Sequence, residues 1–511
     1  VLTLIFNGTL TYVKNYITQY IAIAIEARIS GDVFDKMLEL PLGKFQTLNA
    51  VDLEKTVSSG TSLRTIIDSQ ILNNVFEAAG LIIFVPVLIG YSPVLATIVI
   101  IFSFSIAFLG LFLRKREVHL SGIVSKADRK KNSTLRSTIA GIDTVKVFAL
   151  EDSQRQEWRQ STASSLYAIT NRYKISNLSK SMQAVLQQLM TVAVIFSGVM
   201  LVFSGSLSAG AIISCNMLGG KITGPVRQMV MFFSELSNFK NIITQISELW
   251  NSPSERTGIG SQRILRGNLD FTNVSVIFDN VTALKDISWK IKEGGRVGIV
   301  GPAGSGKSTL LRLIQGLLRP NSGVFSIDGI PYSNLNLENY RLQVAMISQS
   351  STFFDGTIES NLRRARPNIS EREFSDALNW SGLRGILDEL EDGLSTEIDQ
   401  YASGMSSSHK IIISLARAII SNPKVILFDE VFSNIDKRLS KHVLTNLNNI
   451  TRGKTFIMAT HDISLLHQFD EILVLDRGSV NSTGKHSDLL KSSATYKQLY
   501  DLDVDISQGN F

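Results

Sequence analysis

Gly301-Pro302-Ala303-Gly304-Ser305-Gly306-Lys307-Ser308-Thr309 follows a strand-like apolar run, 297–300, and precedes a helix-like one holding Leu310, Leu311, Leu313 and Ile314. A strand, a glycine-rich turn and a helix in that order form a phosphate-binding loop, because several backbone N–H groups then converge on an anion with no side chain in the way. Lys307 is placed to reach the outer phosphates, and the Ser308 hydroxyl to ligate Mg²⁺. The chain is expected to bind a nucleotide.

The 511 residues divide by composition into two parts rather than into average-sized domains. Long apolar stretches fill the chain up to about residue 250, and an ordinary soluble composition follows. The expected organisation is an α-helical transmembrane region over 1–250, a linker over 251–266 and an α/β P-loop nucleotide-binding domain over 267–503. The single cysteine, Cys215, excludes an internal disulfide and sits in an apolar run as a small packing residue. The net charge of +6 comes from dispersed basic residues, several of them flanking apolar spans, so nucleic acid is not an expected partner.

Residues 71–91 and 94–113 are each long enough to cross the hydrocarbon of a bilayer, and only Ser92 and Pro93 separate them. A second hairpin is expected from 183–203 and 209–233, joined by the uncharged turn 205–208, with Gly219, Gly220, Gly224 and Pro225 interrupting its last helix. Residues 1–25 make a weaker fifth span, broken by Asn7, Lys14, Asn15 and Gln19. Such groups in a spanning helix face a bundle interior or water; an interfacial amphipathic helix is the alternative. Arg114, Lys115, Arg116, Lys126, Arg129, Lys130 and Lys131 follow one span, and Arg28, Lys36, Lys44, Lys55 and Arg64 lie between two others, whereas both hairpin turns are uncharged. The positive-inside rule then makes the long connections and the soluble part cytoplasmic. Because the chain starts inside an apolar segment, a first span upstream is expected, for six in all.

Beyond the phosphate loop come Gln349, the apolar strand 425–428 ending in Asp429 and Glu430, the run Ser433-Asn-Ile-Asp436, and the strand 456–460 ending in His461. Polar groups at strand ends and in loops are where a parallel-sheet P-loop domain gathers its ligand chemistry. In this order they resemble the ATP-binding cassette (ABC) domain: Walker A at 301–309, Q-loop at Gln349, Walker B at 425–430, D-loop at 433–436 and H-loop at His461. Preceded by paired spans, the chain looks like half of a type 1 ABC exporter. The resemblance implies ATP and Mg²⁺ as ligands, with Ser308, Gln349 and Asp429 on the metal. Glu430 would polarise the attacking water, and His461 would contact the γ-phosphate. Gln349 would sense the metal for the membrane half. Phe278 matches the aromatic residue that stacks on adenine, and Asp436 belongs to the D-loop.

One segment departs from the family pattern. A helix expected over 411–420 should follow Leu-Ser-Gly-Gly-Gln, the signature that caps the partner's ATP, but here Met405-Ser406-Ser407-Ser408-His409 stands in its place. Ser406 keeps a hydroxyl for the trans contact. Ser407 and Ser408 are expected to strain any left-handed backbone by about 1–2 kcal/mol each and to weaken that contact. A heterodimer with a second half-transporter carrying an intact signature is therefore favoured over a homodimer.

The segments 141–151, 216–225 and 251–255 are similar to the haemolysin-exporter branch, which implies type I secretion of RTX-type polypeptides from a bacterial inner membrane, with a periplasmic adaptor and an outer-membrane channel. A lipid or drug exporter, or a weakly hydrolysing regulatory half, remain as alternatives. Residues 41–53 and 141–151 are expected to touch the cassette.

Overall fold

The computed structural model describes residues 2–47, 53, 56–66, 72–255, 260–278, 281–349 and 351–508. Two compact units result: Val1–Leu38 with Asn49–Ser252, and Glu39–Leu48 with Pro253–Phe511. The chain begins with helix α1 (Leu2–Leu38) and the short α2 (Leu42–Thr47), which groups with the second unit. It continues through α3 (Ser59–Ile66), α4 (Leu72–Tyr91), α5 (Pro93–Ala140), α6 (Ile142–Val147), α7 (Glu151–Phe203) and α8 (Ala209–Trp250). Residues 48–52, within one of the two stretches expected to touch the cassette, lie outside the described residues, as do Val1 and Ile71 at the starts of two expected spans.

The tight hairpin forms where Ser92 and Pro93 direct it. Ser92 is extended and its hydroxyl accepts the Leu95 N–H, while Pro93 takes the first helical turn, where its missing N–H leaves no bond unmade. Ser208 caps α8 in the same way through the Ala211 N–H. Among the described residues, α5 and α7 each carry a stretch long and apolar enough to cross a membrane, and Ala79–Tyr91 is a shorter apolar helix. Leu88, Leu95, Val99, Met190, Val194 and Cys215 form the buried centre of this unit. On α1, Glu26 accepts a bond from Thr61 at 2.7 Å and pairs with Arg64 at 2.9 Å, fixing α3 beside it.

The expected interruption of the last helix does not occur: α8 runs unbroken through Pro225. A proline in a membrane helix removes one backbone bond, and neighbouring groups accommodate it. Gly219 serves packing instead, since a Cβ there would come within 3.3 Å of Val99 and 3.4 Å of Met190.

The second unit continues with β1 (Leu269–Phe278), β2 (Val281–Ile291), β3 (Arg296–Val300), α9 (Lys307–Ile314), β4 (Ser322–Ile327), β5 (Ile330–Pro331), α10 (Leu337–Leu342) and β6 (Val344–Ser348). Then come β7 (Gly356–Thr357), α11 (Ile358–Arg363), α12 (Glu371–Ser381), α13 (Leu383–Leu387), β8 (Glu397–Ile398) and α14 (Ser407–Ile420). The chain closes with β9 (Val425–Asp429), α15 (Lys437–Thr451), β10 (Thr455–Ala459), β11 (Glu471–Asp476), β12 (Ser479–Gly484), α16 (His486–Ser492) and α17 (Ala494–Gln508).

Strands β11, β3, β10, β9 and β6 run parallel in that order, with β12 antiparallel on the outer edge. Every residue of β9 and β10 is buried, as a parallel strand covered on both faces must be. An antiparallel sheet, β2-β1-β4-β5, packs with α9 over one face through Phe271, Leu284, Leu310 and Phe325, and α11 to α15 cover the other through Ile358, Ile412, Leu415 and Phe456. Each such buried side chain contributes about 1.5–3 kcal/mol.

Asp328 fastens the start of this unit to the β4–β5 turn. Its own backbone is left-handed (φ 51°), and its carboxylate accepts N–H bonds from Arg266 and Asn268 at 2.7 and 2.9 Å. Partial burial works to raise its pKa, but these donors together with the Gly267 N–H and the Asn268 amide prevail and hold it below the usual carboxylate range. Its stabilisation is therefore present above about pH 4 and is lost as pH falls through the depressed value. Asp328→Ala is expected to lower stability by about 1–3 kcal/mol in thermal unfolding at neutral pH, and Asp328→Asn, which keeps one acceptor and the left-handed turn, by less. The gap between Asp328→Ala and wild type should shrink on acidification.

Candidate active site

The strand order sets the site. Because β10 lies between β3 and β9, with β6 outermost, the segments leaving their carboxyl ends emerge side by side: the loop 301–306, then His461, then Asp429 and Glu430, then Gln349. Residues far apart in sequence thereby face one crevice, as expected at the strand ends of an open α/β sheet.

The loop itself requires its glycines. Gly301, Gly304 and Gly306 all have positive φ, and a Cβ at Gly301 would lie 2.2 Å from the Leu475 carbonyl oxygen. Ser305 Oγ is buried without a protein partner. Lys307 is 5% exposed, and its ammonium donates to the Gly301 and Pro302 carbonyls at 2.9 and 3.2 Å. Burial lowers its pKa, against the opposing pull of Glu430 and Asp429. A cradle of N–H groups, a lysine over it and an orphaned hydroxyl fit an anionic phosphate chain.

Ser308 Oγ donates to Asp429 Oδ1 at 3.0 Å. Burial raises the Asp429 pKa first of all, and the Ser308 bond opposes that rise. A buried carboxylate beside a hydroxyl matches the oxygen donors that Mg²⁺ takes alongside a triphosphate. Glu430, next along, has left-handed backbone (φ 54°, ψ 33°), at about 1–2 kcal/mol for a residue with a Cβ. That turn lifts its carboxylate out of the strand line. His461 Nε2 lies 2.8 Å from Glu430 Oε1, Gln349 Nε2 donates to Oε2 at 3.1 Å, and Lys307 Nζ stands 3.9 Å away. His461, Gln349 and Lys307, three of the groups expected to serve the phosphates, the metal and the water, thus meet on the carboxylate of the fourth, Glu430.

The remaining expected residues lie around this centre or elsewhere on the unit. Thr309 follows Ser308 in the first turn of α9. Phe278 ends β1, 39% exposed, paired with the more exposed Val281 of β2. Asp436 caps α15 by accepting the Leu439 N–H at 2.9 Å. Ser406 caps α14 through the His409 N–H, and α14 starts at Ser407 rather than at 411.

The strain expected at Ser407 and Ser408 is absent. Both lie in the right-handed first turn of α14, and the left-handed torsions ahead of it fall on Ala402 (φ 46°) and Gly404 (φ 87°). Ser408 Oγ instead accepts the Asp436 N–H at 3.0 Å and donates to the Asn434 carbonyl at 3.3 Å, tying the signature segment to the D-loop of its own chain. A second contact unforeseen from the sequence is Asp503 on α17, which accepts the Ile463 N–H at 2.8 Å, two residues beyond His461. Neither pairing has a sequence signal, since 28 and 40 residues separate the partners.

This arrangement defines a P-loop ATPase joined to a multi-pass helical membrane region. The family model for the ABC transporter transmembrane region matches residues 1–226, and the model for the ABC transporter domain matches 284–433. The alpha-hemolysin translocation ATP-binding protein HlyB of Escherichia coli O6:H1 is 28% identical over 510 residues, 98% of this chain and 71% of that protein. The Toxin RTX-I translocation ATP-binding protein of Actinobacillus pleuropneumoniae is also 28% identical over 510 residues, with the same coverage. The leukotoxin translocation ATP-binding protein LktB of Mannheimia glucosida is 27% identical over 98% of this chain and 72% of its own length. A bacterial Atm1-family ABC exporter solved with ATP bound shares the fold at a TM-score of 0.87, with 22% identity over 97% of this chain and 88% of that one. The chain belongs to the ABC transporters and is an ATP-binding transport ATPase with the type 1 exporter fold.

Glu430→Gln is expected to bind ATP normally and to lose hydrolysis by about 10²–10⁴-fold, whereas Lys307→Ala should lose tight ATP binding itself. Equilibrium binding and phosphate release on the purified full chain separate the two; equal ATPase rates for wild type and Glu430→Gln would remove Glu430 as the base.

Proposed function

We propose that the chain is one half of a dimeric exporter in a bacterial inner membrane that uses ATP to move a polypeptide of the RTX type outward, working with a periplasmic adaptor and an outer-membrane channel. The observation that carries this reading is the resemblance, along almost the whole chain, to proteins named for toxin translocation. In it the long connections and the ATPase unit face the cytoplasm, as the basic residues of 114–131 require.

In this reading the loop 301–306 with Lys307 holds the phosphates, and Phe278 stacks on the adenine. Ser308 and Asp429, with Gln349 beside them, would hold Mg²⁺, which supplies charge neutralisation on the phosphate oxygens when bound. Glu430 orients and polarises the water, and His461 keeps that carboxylate in place and meets the γ-phosphate. Ser406 and the first turn of α14 face the partner's ATP.

The replacement of two glycines and a glutamine by Ser407, Ser408 and His409 favours a heterodimer, in which this chain's Glu430 site is completed by an intact signature on a second half-transporter. The same replacement supports the regulatory reading, in which the site capped by this chain turns over slowly. A phosphate hydrogen bond lost there is worth about 1.5–3 kcal/mol, or roughly a tenfold or larger weakening. ATPase activity of the purified chain alone is expected to rise at least about tenfold on adding any co-encoded half-transporter or on restoring Ser407→Gly with Ser408→Gly. Full activity of the chain alone, unchanged by either, would refute the heterodimer.

A further inference from the structure

The segment Asn251 to Glu255, which follows the last membrane helix, has a polar partner far along the chain. Arg341 on α10 grips the Glu255 carboxylate with two parallel bonds, at 2.7 and 2.9 Å, and the Glu255 side chain is only 8% exposed. The same guanidinium donates to the Gly316 carbonyl at 2.6 Å. Gly316 is the left-handed residue that ends the phosphate-loop helix α9, and a cation beside the carbonyl end of a helix is favoured by its dipole. The Glu255 N–H in turn donates to the Glu39 carbonyl at 2.6 Å.

Glu39 and Pro253 are the first residues of the second unit at two of the places where the chain passes into it from the first. Arg341 therefore stands between the far end of the helix that begins at Lys307 and both of these crossings. Its planar fork is suited to such a task, because bidentate geometry fixes direction as well as distance.

We propose that Arg341 and Glu255 form a transmission clamp, through which a shift of the phosphate-loop helix on nucleotide binding is passed to the chain where it leaves the membrane unit after α1 and after α8. Arg341 is a positioning residue, with no part in binding or cleaving ATP. The clamp rests on the ATP-driven export reading and adds to it the part that couples the two units.

The test uses the full chain in lipid nanodiscs, together with any co-encoded half-transporter, bearing Ser206→Cys in the turn between α7 and α8. The reaction rate of that cysteine with an impermeant maleimide is measured with and without ATP and vanadate, and the chain without the reporter corrects for the buried Cys215. The clamp predicts that Arg341→Ala, and Glu255→Gln, which keeps side-chain shape if Arg341→Ala folds poorly, reduce the ATP-dependent change in rate by about 5–10-fold while ATP affinity stays at the wild-type value. A full response in either folded variant overturns the clamp. So does a loss of ATP affinity in step with the response, which would make Arg341 a support of the phosphate loop. A wild-type chain that binds ATP without any change at position 206 would overturn the export reading together with the clamp, whereas a wild-type response that survives both substitutions overturns the clamp alone.

Discussion

The bond from Ser308 Oγ to Asp429 Oδ1 joins the first turn of the phosphate-loop helix to the end of a strand in which every residue is buried. The site depends on that junction. A parallel strand packed on both faces cannot slide, because a one-residue slip would turn its side chains to the opposite faces. Asp429 is thus held where β9 stops, and the left-handed turn at Glu430 carries the next carboxylate toward His461 and Gln349. Strain at that one residue is offset by the bonds its carboxylate receives, a pattern expected where geometry serves chemistry.

Much of this was legible in the sequence, for physical reasons that differ by element. Glycines at 301, 304 and 306 are readable because only glycine tolerates those torsions readily, at 301 and 306 beside a close backbone as well. Asp429 and His461 are readable because each polar residue follows an apolar run. The membrane hairpin is readable because Ser92 and Pro93 are at once a cap and a first-turn residue. What could not be read was pairing over distance. Nothing local joins Glu255 to Arg341, 86 residues on, or Ser408 to Asp436. Local rules also misjudged two places. Pro225 and its glycines look like a break, yet the helix continues, with Gly219 packed against Val99 and Met190; Ser407 and Ser408 look strained, yet the left-handed torsions fall earlier, on Ala402 and Gly404.

The bond from Ser408 to Asn434 and Asp436 gives the altered signature a physical character of its own. A glycine there would leave the D-loop's N–H without this acceptor, so the serine exchanges freedom at the first turn of α14 for a fixed loop.

Binding of Mn²⁺ in place of Mg²⁺, followed by electron paramagnetic resonance on the full chain holding a slowly hydrolysed ATP analogue, tests the central claim most directly. With the metal held at the Ser308–Asp429 junction, Asp429→Asn should weaken Mn²⁺ binding by at least about tenfold, with affinity for the metal-free nucleotide unchanged. Equal Mn²⁺ affinity in wild type and Asp429→Asn would contradict the site as described.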